Sequence, residues 1–313
     1  MPTFADDPSA FRNDYNNYPN WMVELCVASY NEPMSTVVNS IPKEWSLVWG
    51  PAQLSKEDES YSRAFIVRRQ VPSIFLDEYT VVIRGTNFKS WDSWMLEDFD
   101  VHKTEPLSKL VPEAPAGARI AQGTYNGIHD LNNLTDPVTG KTMVQFLQQV
   151  KPPTLYVTGH SLGGTLTPVY FAYLNSVLFG GGRGNSMALW SFAGLTPGNA
   201  DFNAYLTSLG NPEFPWRLFN TLDIAPNLFG NRHALDSIYL PTKMDLAERL
   251  LIDGLFLRAK GNGYEQPAAG ATPLKGWMQK EKHFKWAEEA MYQHHSTTYQ
   301  LLVQAAYPVR STT

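Results

Sequence analysis

Ser161 lies in Gly159-His160-Ser161-Leu162-Gly163-Gly164, a G-x-S-x-G pattern between two runs of different character. Thr154–His160 is rich in β-branched and aromatic residues, as a short buried strand is, and Leu162–Phe179 has the length and apolar content of a helix. A serine on the turn between them is held in a sharp, strained conformation. The residues two before and two after it then approach too closely to carry a Cβ, and Gly159 and Gly163 meet that demand. Such a serine is suited to nucleophilic acyl transfer. A hydroxyl is a weak nucleophile at neutral pH, so it needs a base, a group that orients the base, and donors for the oxyanion that forms. Asp223, just past the strand-like run Phe214–Asn220, is the candidate orienting acid. The adjacent His294 and His295 are the candidate bases, and only one of them can meet Ser161. His295 is favoured because it directly precedes the Ser-Thr-Thr-Tyr stretch that caps a final helix over Thr297–Ala306. Leu162 N–H, next to the nucleophile, and Thr86 N–H, in the loop after an earlier strand, are the candidate oxyanion donors. His160 faces away by strand alternation and reads as structural; His102, His129, His233 and His283 lack spaced partners.

The elements that must position these groups follow from periodicity. Tyr18–Tyr30 reads as a packing helix; Ser62–Pro72 and Asp77–Asn87 read as adjacent strands. Phe88–Asp100 carries Trp91, Trp94, Met95 and Phe99 at helical spacing, which suits either a lid that opens to lipid or a surface helix clamped on the core. Leu107–Gly117 is a loop, with helices expected over Tyr125–Leu134 and Lys141–Val150. After the elbow, strands over Met187–Gly194 and Phe214–Asn220 flank a helix over Asn199–Leu209. This alternation implies an α/β fold with a mostly parallel central sheet and helices on both faces. Phe179–Ser186 ends a helix and lacks a G-K-[ST] ending, so it is not a phosphate loop. Pro168 should kink the elbow helix or shift its start. Met244–Lys260 is a long apolar-rich helix and a second lid candidate, followed by a loop over Gly261–Lys275.

Composition narrows the function classes. The 313 residues are 43% hydrophobic and 13% aromatic, enough for a substantial core, read as one domain with a core over about 61–302, a helical N-terminal segment 1–60 and a possible cap elaboration over 240–280. A net charge of −5, without a basic run, gives no reason to expect a nucleic-acid partner. Cys26 is the only cysteine, so neither an intrachain disulfide nor a cysteine metal cluster is expected; no metal or cofactor is implied. The acidic, polar N-terminus and the lack of a membrane-length apolar stretch suggest a cytoplasmic or signal-less extracellular protein without a stable membrane anchor.

Several segments, taken in order, resemble the class 3 (fungal-type) lipase family of the α/β-hydrolase superfamily. Val81–Asn87 is similar to its oxyanion strand and loop, GHSLGG to its elbow, Phe192–Phe202 to its F-G-x-P-x-x-G-N-x-x-F segment, Arg217–Leu228 to its R-V-x-N-x-x-D-x-V-P segment, and His295–Tyr299 to its terminal histidine stretch. The resemblance implies an α/β-hydrolase fold with lid or cap elements, Ser161 as nucleophile, Asp223 as acid, His295 as base and Thr86 at the oxyanion. It implies hydrolysis of a lipid ester through an acyl-enzyme, at a lipid–water interface, as in a triacylglycerol lipase. A phospholipase or a short-chain esterase would share these motifs, and a non-catalytic binding protein on the same fold is the reading from a different class. The disulfides and secretion signal of the fungal members are missing, and Leu195-Thr196 before Pro197 departs from their pattern.

Overall fold

The computed structural model describes residues 17–54, 62–71, 76–86, 100–182, 187–209, 216–279 and 285–309. Its main sheet has seven strands: β1 (Ser46–Gln53), β2 (Arg63–Val71), β3 (Leu76–Ile83), β6 (Thr154–His160), β7 (Met187–Phe192), β8 (Arg217–Asn220) and β9 (Ala271–Leu274), in the spatial order β1-β2-β3-β6-β7-β8-β9. The pairs β1/β2 and β2/β3 are antiparallel; β3, β6, β7, β8 and β9 run parallel. A small hairpin pairs β4 (Thr104–Pro106) with β5 (Arg119–Ala121). The helices are α1 (Asn17–Ser29), α2 (Gln122–Asn133), α3 (Met143–Val150), α4 (Leu162–Phe179), α5 (Ala200–Leu209), α6 (Arg232–Ser237), α7 (Leu246–Ala259), α8 (Trp286–His294) and α9 (Ser296–Ala306).

Both faces of the sheet are covered, and the side-chain alternation shows why the strands are apolar throughout. Ile66, Val81, Leu155, Val157 and Leu189 point to one face, where they meet Leu166, Val169, Tyr170 and Phe171 of α4. Phe65, Val67, Val82, Tyr156 and Trp190 point to the other, against Trp21, Met22 and Leu25 of α1 and Leu302 and Val303 of α9. Burying one such side chain contributes about 1.5–3 kcal/mol. A third cluster lies beyond the carboxyl end of β8, where Ile224, Ala225 and Leu228 pack on Ile252, Leu255 and Ala259 of α7 and on Trp286 and Ala290 of α8. α1 is also fixed by charge: Arg69 Nε donates to Glu78 Oε2 at 2.9 Å, Tyr18 Oη donates to Glu78 Oε1 at 2.6 Å, and the Arg69 guanidinium sits 4.3 Å over the Trp21 ring.

Two elements differ from the sequence expectation. β1 lies inside the segment read as helical, because Gly50-Pro51 interrupts the alternation that marks a strand and shifts its register against β2. β9 lies inside an expected loop; its Pro273 offers no N–H and is tolerated because β9 is the last strand of the sheet. The expected helix Phe88–Asp100, with Trp91, Trp94, Met95 and Phe99, falls almost wholly outside the described residues.

Pro168 neither kinks α4 visibly into two helices nor moves its start, since α4 runs unbroken from Leu162. A proline at 168 cannot serve the carbonyl four residues earlier, that of Gly164. Ser191 Oγ of β7 donates to that carbonyl instead, at 2.8 Å. The gap in the helix thus becomes a tie between the elbow helix and the sheet. Ser191→Ala should cost about 1–3 kcal/mol of unfolding free energy, because it strips a buried carbonyl of its donor. In a Pro168→Ala background, where residue 168 regains an N–H for that carbonyl, the same substitution should cost less. Urea unfolding of the four proteins measures this coupling, and equal costs in both backgrounds would remove Pro168 from the account.

Candidate active site

Ser161 occupies the turn between β6 and α4 with φ 61° and ψ −124°, a conformation L residues seldom adopt. The backbones around it are packed too closely for side chains. A Cβ on Gly163 would collide with the carbonyl of Ile83 at the end of β3, one on Gly164 with the carbonyl of Phe192 at the end of β7, and one on Gly159 with the carbonyl of Gly163. Ser161 N–H donates to Phe192 O at 3.0 Å, which pins the turn to β7. The chain leaving β3 runs against the same point: a Cβ on Gly85 would come within 2.9 Å of Ser161 Cβ. Thr86, the next residue, is buried at the edge of the site, and Leu162 opens α4, where backbone N–H groups have no earlier helical carbonyl to serve.

Ser161 Oγ lies 2.7 Å from His294 Nε2, and His294 Nδ1 lies 2.9 Å from Asp223 Oδ2. Since the carboxylate accepts from Nδ1–H, Nε2 of the neutral imidazole is the acceptor for the serine proton. All three residues are buried. Asp223 follows β8 and accepts two further hydrogen bonds, from Ala225 N–H to Oδ1 at 2.9 Å and from Tyr299 Oη to Oδ2 at 2.7 Å. Tyr299 Oη in turn accepts from Asn220 N–H at 3.0 Å. Burial first, and then the Asp223 charge, push the Tyr299 phenol well above its usual range, so it remains a donor. Asn220 Nδ2 reaches the carbonyl of Gln293 at 2.9 Å, tying the end of β8 to the residue before His294.

The favoured histidine is corrected by this geometry. His295 is exposed, sits in extended backbone (φ −64°, ψ 139°) between α8 and α9, and turns its ring away from Ser161. Its Nδ1 accepts from Thr297 N–H at 3.3 Å and from Thr297 Oγ1 at 2.8 Å, so it is the N-cap of α9. The nearness of the Ser-Thr-Thr-Tyr cap therefore marks the capping histidine, and the one before it ends α8 facing Ser161. Tyr299 and the Ala225 N–H were missed; the only sequence trace of Tyr299 is a polar-tipped aromatic on the apolar face of the last helix. Among the described residues no group of three or more His, Cys, Asp or Glu side chains is arranged to hold a metal ion. No described helix is long and apolar enough to cross a membrane.

A hydroxyl, an imidazole and a carboxylate in a row, beside a strained turn at the ends of parallel strands, are equipped to transfer an acyl group. Comparisons with known proteins agree with that class of chemistry. Residues 80–233 match the family described as Lipase (class 3), a span that contains Ser161 and Asp223 and stops short of His294. Among solved structures, the chain is similar to the M37 lipase at 26% identity and a TM-score of 0.78, over 91% of each chain. A mutant form of MDLA from Penicillium cyclopium aligns at 20% identity and TM-score 0.50, covering 69% of this chain and 74% of that one. The nonglycosylated LIP2 lipase of Yarrowia lipolytica aligns at 15% identity and TM-score 0.50, covering 71% and 75%. These last two bear on the fold alone. A search of curated proteins finds no match. With its mostly parallel sheet and flanking helices in the α/β-hydrolase arrangement, the chain carries a class 3 lipase region over residues 80–233 and is an ester-hydrolysing enzyme.

Proposed function

We propose that the protein is a triacylglycerol lipase that works through an acyl-enzyme on Ser161. The observation that carries the reading is the row from Ser161 Oγ to His294 Nε2, at 2.7 Å, and from His294 Nδ1 to Asp223 Oδ2, at 2.9 Å. In the first half-reaction His294 Nε2 takes the serine proton as Oγ attacks the ester carbonyl carbon, and Asp223 orients the imidazole and stabilises the imidazolium. The carbonyl oxygen becomes an oxyanion, for which Leu162 N–H and Thr86 N–H are the donors. As the tetrahedral intermediate collapses, His294 returns its proton to the departing alkoxide, and an alcohol leaves. Water then gives a proton to the same nitrogen, attacks the acyl-enzyme, and frees the carboxylic acid and the Ser161 hydroxyl. Ser161 is 0% exposed, as a nucleophile beneath a lid would be. Trp91, Trp94, Met95 and Phe99 follow the Gly85-Thr86 loop in sequence and supply the apolar stripe expected of a lid.

Ser161→Ala should lower kcat by about a millionfold and Asp223→Asn by on the order of ten thousandfold, read as hydrolysis of a chromogenic ester. Near wild-type turnover in Ser161→Ala would end the reading. His294→Ala should lose activity about as fully as the serine variant, while His295→Ala keeps most of it and loses about 1 kcal/mol of stability through its capping bonds. Activity that survives in His294→Ala and vanishes in His295→Ala would reverse the choice of base. A panel of esters that varies chain length and head group, run below and above substrate solubility, tests the substrate class. Preference for long-chain triacylglycerol with a rate jump at the emulsion point is the expected result. A flat response with short soluble esters preferred would make it an esterase, and preference for charged head groups a phospholipase.

A further inference from the structure

His160, the residue before Ser161, is buried and takes no part in the row of three. Its Nε2 lies 2.9 Å from the carbonyl oxygen of His294, and a carbonyl can only accept, so Nε2 carries the proton. A neutral imidazole has one N–H, and Nδ1 is therefore an acceptor; Tyr30 Oη donates to it at 2.9 Å. Burial, and then the neighbouring His294, hold the His160 imidazole well below its ordinary range, which keeps it in this single neutral form. Burial likewise raises the Tyr30 phenol, so its proton stays on. The same hydroxyl lies against the backbone of Gly85, where an added Cβ would collide with it. Two bonds and one close approach result: Tyr30 Oη–H donates to His160 Nδ1, His160 Nε2–H donates to the His294 carbonyl, and Tyr30 Oη packs against the Gly85 backbone.

These contacts join three segments that reach the site from distant parts of the chain. Gly85 precedes Thr86 in the loop assigned to the oxyanion, His160 precedes the nucleophile, and His294 is the base. We propose that Tyr30 and His160 are positioning residues, which fix the His294 backbone and the Gly85-Thr86 loop in register with Ser161. This rests on the roles given to Ser161 and His294 above. Packing alone is the competing account, because the His160 ring also lies 5.1 Å from that of His294 and 5.3 Å from that of Tyr299. Phenylalanine at 160 keeps the ring and removes both bonds, whereas glutamine loses the ring and can place an amide donor near the Nε2 position.

The test compares Tyr30→Phe, His160→Phe and His160→Gln in the full chain, with kcat and KM measured on a soluble short-chain ester. The rate of Ser161 labelling by a fluorophosphonate and the Tm of each variant are measured alongside, and all rates are taken well below the lowest Tm. Tyr30→Phe and His160→Phe should each lose about 10- to 100-fold in kcat and in labelling rate, since displacing a reacting group by a fraction of an ångström has costs of that size. KM should stay within about twofold, and His160→Gln should recover most of the loss. Two results would overturn the proposal while leaving the nucleophile in place: a labelled wild type with both phenylalanine variants within about threefold of it in kcat, or a glutamine variant as impaired as His160→Phe. A wild type that does not label would overturn the reading of Ser161, and this proposal with it.

Discussion

Around Ser161 the backbones of β3, β7 and the elbow itself approach so closely that no side-chain carbon fits at Gly85, Gly159, Gly163 or Gly164. That contact sets the position of everything else in the site. A serine at φ 61° carries strain on the order of 1–3 kcal/mol, which persists only where the surroundings over-determine it. Here α4 supplies that determination, through Leu166, Val169, Tyr170 and Phe171 buried against the sheet and through Ser191 bonded to the carbonyl that Pro168 leaves open. The two devices meet at Gly164. One forbids side chains so that backbones can touch, and the other uses a missing amide to let the sheet hold the helix.

The groups proposed as acid and base come from elsewhere and are stiffened independently. Asp223 gains two donors besides the imidazole, and the Tyr299 hydroxyl that supplies one of them also holds the end of β8 through Asn220 N–H. The chain between Asp223 and α8 builds α6, α7 and β9, so the base could drift were its helix not tied back. The bonds that do this include Asn220 Nδ2 to the Gln293 carbonyl, and Glu248 Oε1 of α7 accepting from Ala287 N–H of α8. The third apolar cluster fills the space between these ties. The region over the acid is therefore a packed layer that carries the base, which is a stronger constraint than a loop of the same length would impose.

Much of this was legible in the sequence. The elbow, the five parallel strands except β9, and the placement of Asp223 just past β8 follow from apolar runs, glycine spacing and the rule that groups gather at the carboxyl ends of strands. Those are local signals, and they survive folding because each strand is long enough or apolar enough to declare itself. β9 does not, being four residues with a proline, and β1 hides its alternation behind Gly50-Pro51. Tyr30 and Tyr299 were invisible as site residues for a different reason. Nothing in their local sequence requires a hydroxyl, and each is placed by partners 130 and 76 residues away.

The two adjacent histidines show where local signals stop. Both are the same residue type, and either would satisfy the chain order of serine, acid and histidine. What separates them is the break between α8 and α9, and that break is set at both of its sides by side chains. His160 donates to the His294 carbonyl, which a continuing helix would have offered to the amide four residues on. His295 caps the first turn of α9 with its own ring. A histidine spent on a cap is exposed and turned outward, and the one before it, at the end of a buried helix face, is left pointing at Ser161. Which histidine faces Ser161 is thus tied to a bond from the residue beside that serine, 134 positions earlier in the chain. No spacing rule reaches that far, and the elbow that presents the serine also selects its partner.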